Sequence, residues 1–300
     1  MNNEISVFAP AKINLFLEVL GKRSDGYHEL DTLFAKISLG DDIKISVEPA
    51  NEIQISIKMR GPYGANVKED KTNLVYKAAL AFFEHFKIKA KCAIRVEKNI
   101  PLGAGLGGGS SDGASVLLGL CSLYGIELNA KRMKDLNKIG AKLGADVPVF
   151  LEKGTFFRAQ GIGEKLTLIK SNMKSPTLVI VYPRIASDTA QAYKELKLNS
   201  QKDILTNVSN LNTIIDEVKK ACPIAMWGRL IYNKLEDGVL SRLDVIKHTK
   251  DQLKALGADY VIMSGSGSSV VGFVENETKA LEIAKKIENK DVFLAHFWRA

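Results

Sequence analysis

The segment Asn99-Ile100-Pro101-Leu102-Gly103-Ala104-Gly105-Leu106-Gly107-Gly108-Gly109-Ser110-Ser111-Asp112 carries the clearest chemistry in the chain. Five glycines fall within seven residues, between a stretch that alternates like a strand and one that is apolar like a buried helix. Residues without a Cβ let successive backbone N–H groups converge on one anion. A helix starting directly behind them adds its unbonded amides and the positive end of its dipole. Ser110 and Ser111 are placed to cap that helix, or to offer hydroxyls to a phosphate or a magnesium ion. The segment therefore reads as a phosphate cradle. Gly103, Gly105 and Gly108 also satisfy GxGxxG, so a dinucleotide-dependent oxidoreductase is the rival reading. That fingerprint requires a second strand ending in an acidic residue about 20 positions on. Glu127 is near that distance, but it follows Tyr124-Gly125 and directly precedes a helix. No GxxxxGK[ST] occurs, so the phosphate-binding device is of another kind.

Polar residues interrupt an apolar strand at Ala9-Pro10-Ala11-Lys12-Ile13-Asn14-Leu15, before Gly21-Lys22-Arg23-Ser24-Asp25-Gly26-Tyr27-His28-Glu29-Leu30. Lys12 and Asn14 are two apart and so leave the same strand face, which taken alone predicts a solvated outer face. Asp146 before Val147-Pro148 reads by itself as a helix N-cap, and Ser264-Gly265-Ser266-Gly267-Ser268 as a hairpin turn.

These segments need elements to position them. Period-two alternation predicts strands at Ile13–Leu20, Ile43–Val47, Ile53–Met59 and Ala93–Val96. Leu74 to Phe86 recurs with helical spacing, as do Val116 to Leu123 and the stretch behind Asn129, a predicted N-cap. Further on come strands near Thr155–Arg158 and Leu178–Tyr182, helices between Asp188 and Leu256, strands Tyr260–Met263 and Val270–Val274, a helix over Leu281–Ile287 and a last strand. The order predicts an α+β class, with a boundary near Gly154–Gly163 dividing domains 1–158 and 159–300.

Composition removes other classes. With 46% hydrophobic and 25% charged residues over 300, the chain can bury a sizeable core. The net charge of +8 raises the question of an anionic partner, yet the basic residues are scattered, and Lys131, Arg132, Lys134 and Lys138 read as one solvated helix side. Nucleic acid is not expected as a partner. Cys92, Cys121 and Cys222 are widely spaced, which predicts neither disulfides nor a zinc site. No apolar run approaches the roughly 20 residues of a membrane span, and no basic-then-apolar leader opens the chain. A bacterial cytoplasmic protein, monomeric or weakly dimeric, is expected.

The motifs taken together resemble the GHMP kinase superfamily, and within it the branch whose acceptor is a cytidine diphosphate-linked methylerythritol. The match rests on PAKINL with GKRSDGYHEL, on PLGAGLGGGSSD, and on Met263-Ser264-Gly265-Ser266-Gly267, with Gly144-Ala145-Asp146-Val147-Pro148-Val149-Phe150 and Asn233-Lys234-Leu235-Glu236 adding to it. Gly113 stands where alanine is expected. The resemblance implies a two-domain fold, with an N-terminal domain like ribosomal protein S5 domain 2 and a ferredoxin-like C-terminal domain. It implies ATP with Mg2+, transfer to the 2-hydroxyl of 4-(cytidine 5′-diphospho)-2-C-methyl-D-erythritol, and a place in non-mevalonate isoprenoid synthesis. Asp146 becomes the catalytic base and Lys12 its partner at the reacting hydroxyl. ATP would lie on Pro101, Leu102, Gly103, Ala104, Gly105, Leu106, Gly107, Gly108, Gly109, Ser110 and Ser111. The substrate would meet Asn14, Tyr27, His28, Tyr193, Gly265, Ser266 and Gly267, with Tyr27 and His28 on the cytosine and Tyr193 as the opposite stacking face. A homoserine, mevalonate or sugar kinase of the same superfamily is the alternative, against which the Tyr27-His28 pair argues.

Overall fold

The structure, a computed structural model, describes residues 3–299. In chain order the first elements are β1 (Glu4–Lys22), β2 (His28–Pro49), β3 (Gln54–Arg60), α1 (Leu74–Phe86), β4 (Ala90–Glu97), α2 (Gly108–Leu123), α3 (Ala130–Leu143) and α4 (Val147–Leu151). Then follow β5 (Phe156–Gly161), β6 (Lys165–Ile169), β7 (Thr177–Tyr182), α5 (Thr189–Lys194), α6 (Gln201–Lys219), β8 (Tyr232–Asn233) and α7 (Glu236–Arg242). The chain closes with α8 (Asp244–Ala255), β9 (Tyr260–Met263), β10 (Val270–Val274), α9 (Glu277–Lys285) and β11 (Asp291–Ala295). The expected strands and helices are present and the class is α+β. The sequence reading missed β6 and the two-residue β8.

The chain packs as two compact units that interleave in sequence. The first holds residues up to Ala11, Gly40–Leu102 and Gly107–Lys153; the second holds Lys12–Leu39, Gly103–Leu106 and Gly154 onward. Position 158, where the sequence reading divides the domains, lies within β5.

In the first unit the later half of β2 pairs antiparallel with β4, Asp42 opposite Glu97, and β3 runs parallel to β4. β4 alternates without a break: Ala90, Cys92, Ile94 and Val96 are buried, and the residues between them are exposed. Helices α1 to α4 pack on one another. The core of α2 is Val116, Leu117 and Leu120, buried with no exposed surface. Asn129 caps α3 as expected, its side chain accepting from the Arg132 N–H.

In the second unit β5 pairs antiparallel with the early half of β2, Leu30 opposite Gly161, and β8 runs parallel to β1 with Phe16 opposite Tyr232. A separate antiparallel sheet has the order β11-β7-β10-β9. Its connectivity is strand, helices, strand, strand, helix, strand, the split βαβ pattern of a ferredoxin-like domain. Val179, Val181, Val270, Met263, Leu253 and Ile283 form the heart of its core.

Candidate active site

Within the second unit, β1 carries Lys12 and Asn14 on one face as alternation requires, but that face is inward: they are 4% and 1% exposed. The reading of a solvated outer face is therefore corrected. Burying an ammonium and an amide is tolerated because both are bonded. Lys12 Nζ donates to Asn14 Oδ1 at 2.8 Å, Asn14 Nδ2 donates to Thr32 Oγ1 at 2.9 Å, and the Thr32 hydroxyl donates to the Phe16 carbonyl at 2.5 Å. The ammonium also lies 5.0 Å from the centroid of the Phe34 ring.

The first glycines of the turn belong to the same cluster. Lys12 N–H donates to the Leu106 carbonyl at 2.9 Å, Ser269 N–H to Ala104 at 3.1 Å, and Ser187 N–H to Gly103 at 2.9 Å. Gly105 has φ +75°, and a Cβ there would stand 2.0 Å from the Ser264 carbonyl oxygen. Only glycine lets these backbones approach so closely. A Cβ on Gly265 would meet the Gly105 oxygen at 3.1 Å, Lys12 Nζ at 3.3 Å and Asn14 Oδ1 at 3.4 Å. Lys12, Asn14, Gly105 and Gly265, singled out from distant parts of the sequence, thus converge within a methyl group's reach.

The serine-glycine turn is braced from all sides. Asn233 Nδ2 donates to the carbonyls of Met263 at 2.8 Å and Gly265 at 2.7 Å, while its Oδ1 accepts from Leu235 N–H at 3.0 Å. Ser187 Oγ donates to the Ser266 carbonyl, Ser268 Oγ to Ile185, and the Ser266 and Thr189 hydroxyls lie 2.8 Å apart.

Of the expected nucleobase residues, Tyr27 lies on the β1–β2 connection, His28 opens β2 and Tyr193 is on α5. Arg23 holds the connection together by pairing with Asp25 and Glu29, and Asp25 Oδ1 accepts from the Tyr27 N–H. Tyr27 is 61% exposed. His28 and Tyr193 stack on each other, ring centroids 5.1 Å apart and planes 22° from parallel. A base between two rings needs roughly twice the 3.5–4.0 Å carbon contact, so this pair forms a single platform in the structure. Burial, then the charge of Lys22, pulls the His28 imidazole below its ordinary 6.5.

In the first unit the N-cap of α2 is Gly107, which has φ +72° and contributes no side-chain cap. Ser110 and Ser111 do not cap the helix either, which corrects that option. Ser111 N–H already donates to the Gly107 carbonyl, and the buried Ser111 Oγ has no partner among the described residues. The uncapped first turn, rich in glycine, leaves an N-terminal amide set of the kind that binds anions. Asp146 is the N-cap residue of α4, with Pro148 at its second position, yet its carboxylate makes no capping hydrogen bond. Gly144, two residues earlier, is close to that first turn: a Cβ on it would lie 3.7 Å from Ser110 Oγ. Helices α2 and α4 pack directly, and so hold the loop bearing Asp146 beside the start of α2.

Two residues that build this region were not singled out in the sequence. Lys98 continues the inward phase of Ala90, Cys92, Ile94 and Val96, and that phase is the signal that could have found it. Asp41 gave no local signal. Cys92 and Cys121 are buried free thiols, pushed up by desolvation to about 12 and about 11, and so unreactive.

Comparison with known proteins supplies the rest. Residues 73–154 match the GHMP kinases N terminal domain, and residues 218–292 the GHMP kinases C terminal. A protein of Syntrophotalea carbinolica named 4-diphosphocytidyl-2-C-methyl-D-erythritol kinase is 38% identical over 98% of this chain and 96% of its own. The chain belongs to the 4-diphosphocytidyl-2-C-methyl-D-erythritol kinase family of the GHMP kinases. Another relative of that name, from Acetivibrio thermocellus, is 36% identical over 96% of each chain. A crystal structure of 4-(cytidine 5′-diphospho)-2C-methyl-D-erythritol kinase superposes with a TM-score of 0.76 at 32% identity, covering 99% of this chain and 100% of the other. A homoserine kinase from Cytophaga hutchinsonii also reaches 0.76, covering 99% and 96%, but at 19% identity. The fold is thus common to kinases of different acceptors, and residues rather than shape separate this family from its neighbours.

Proposed function

We propose that this chain transfers the terminal phosphoryl group of ATP to the 2-hydroxyl of 4-(cytidine 5′-diphospho)-2-C-methyl-D-erythritol, a step of non-mevalonate isoprenoid precursor synthesis. The observation that carries the reading is in the first unit: an uncapped, glycine-rich helix start whose Ser110 hydroxyl is close to the loop bearing Asp146, the N-cap residue of α4. Amides of Gly108, Gly109 and Ser110 bind phosphate oxygens, and Asp146 orients the acceptor hydroxyl and takes its proton. Phosphoryl transfer passes through a loose transition state in which little proton abstraction is needed early, so a carboxylate suffices as the proton acceptor. Lys12 offsets charge developing at the same hydroxyl, held in one rotamer by Asn14. Tyr27, His28 and Tyr193 engage the cytosine, and the 265–267 turn lines the substrate. Magnesium, which favours one or two protein oxygens plus substrate phosphates, fits the donor set of Ser110 and Asp146 and would supply charge neutralisation on the nucleotide. Residues 1–158 serve as the nucleotide and catalytic domain, and 159–300 as the substrate domain, in a cytoplasmic monomer or weak dimer.

Incubation of purified protein with ATP-Mg and this substrate, homoserine or mevalonate in parallel tests the reading. ADP should form only with the cytidine-linked substrate, with a new phosphomonoester resonance in the 31P spectrum. Turnover of homoserine or mevalonate instead would reassign the acceptor, and no ADP with any of them would refute a kinase.

A further inference from the structure

Asp41, Lys98 and Asp112 belong to the later half of β2, the residue after β4 and the part of α2 just past its first turn, and are 0%, 2% and 3% exposed. Lys98 Nζ donates to Asp41 Oδ2 at 2.5 Å and to Asp112 Oδ2 at 2.7 Å. The other oxygen of Asp41 accepts from the N–H groups of Asn99 at 2.5 Å and Ile100 at 2.8 Å. Asn99 and Ile100 lead into the glycine turn, and Asp112 lies just past its end. One lysine therefore joins the two flanks of the turn in a continuous hydrogen-bonded chain. It runs directly beneath the helix start, since a Cβ on Gly108 would stand 3.3 Å from Lys98 Nζ and 2.9 Å from Ile100 Cγ2.

Stability does not explain the arrangement. Burying three ionisable groups carries a desolvation cost of several kcal/mol per ion, and apolar residues of similar volume commonly do as well or better. The charges are also unequal in number. Burial pushes the Asp112 carboxyl up against the pull of Lys98, with Asp41 adding to the rise. Burial opposes the Lys98 ammonium, but Asp112 and Asp41 more than offset it, so the lysine stays charged. Asp112 Oδ1 has no hydrogen-bond partner among the described residues, while its Oδ2 accepts from Lys98. What the trio does provide is geometry.

We propose that Asp41, Lys98 and Asp112 are positioning residues for the nucleotide, a clamp that fixes the flanks of the glycine turn so that the amides of Gly108, Gly109 and Ser110 meet the phosphates in one arrangement. The proposal rests on the reading of that turn as the ATP site.

Asp112→Ala tests it, because it unties the α2 flank while leaving Lys98 and Asp41 as a balanced pair, so the fold survives. Asp112→Asn keeps an acceptor for Lys98 and serves as the rescue. Calorimetric binding of a non-hydrolysable ATP analogue and steady-state kinetics are the readouts. The clamp requires Asp112→Ala to weaken analogue binding and raise KM for ATP by about tenfold, with KM for the acceptor within about twofold, and Asp112→Asn to recover most of the loss. Wild-type nucleotide affinity in Asp112→Ala overturns it, as does an equal loss in both variants. Asp41→Asn, which offers one acceptor oxygen to three donors, should weaken nucleotide more than Asp112→Ala if it folds; a folded variant with wild-type affinity also overturns the clamp. Wild-type protein that does not bind the analogue refutes the ATP-turn reading instead.

Discussion

Two glycine- and serine-rich segments, Gly107–Ser111 and Ser264–Ser268, look alike as sequence and use their polar groups in opposite ways. Around the second, side chains are spent inward: Asn233 takes two carbonyls, Ser187 a third, Ser264 Oγ donates to the Gly105 carbonyl, and Ser268 donates to Ile185. At the first, no side chain caps the helix. A turn whose side chains are already paired is held rigid, whereas a helix start without a side-chain cap keeps amides of the kind that can bind an anion. Composition cannot separate these cases, because glycine permits both close packing and outward-facing amides.

Substitutions in the two segments should therefore fail differently. Gly105→Ala, which docks on the braced turn, places a methyl 2.0 Å from the Ser264 carbonyl oxygen and at φ +75°. It should cost about 3 kcal/mol or more, read as a large drop in thermal midpoint; an unchanged midpoint would contradict the docking. Asn233→Ala orphans two carbonyls and the Leu235 N–H, and should cost about 2–3 kcal/mol by urea denaturation. Gly109→Ala sharpens the contrast, since a Cβ there meets nothing within 4 Å. Its fold should be unchanged or gain up to about 1 kcal/mol, yet its KM for ATP should rise about tenfold. An unchanged KM would mean that phosphate does not approach that amide. The smallest effect concerns His28. Its folded pKa is depressed, so the unfolded chain binds more protons, and this contribution to stability is present above about pH 6.5 and lost as pH falls below it. The thermal midpoint of wild type should fall slightly more between pH 7 and 5.5 than that of His28→Gln; equal slopes would contradict the shift.

Much of this was legible in the residues. The periodicity of α1 and α3 is strong enough to fix type and extent, that of β4 fixed its type but only Ala93–Val96 of Ala90–Glu97, and the Asn129 cap is a local rule that held. Lys12 and Asn14 were correctly placed on one face, but alternation gives the phase of a strand and not which phase is inward. Their burial became visible only with Thr32, Phe34 and Gly265, which are distant in sequence. Ser110 and Ser111 satisfied a capping rule, but the helix begins at Gly108 with Gly107 as its N-cap, ahead of both, so neither can serve as the N-cap. Asp41 depended wholly on tertiary partners, because an isolated Gly-Asp-Asp carries no hint of a lysine 57 positions away.

The central claim is that Asp146 acts on the acceptor beside phosphates held at the start of α2. Asp146→Asn keeps the shape of the loop and removes the proton acceptor, so its single-turnover rate with bound ATP and acceptor is the most direct measurement. The rate should fall by about 100-fold or more while affinity for the ATP analogue stays within about twofold of wild type. A rate within about threefold of wild type would contradict the account.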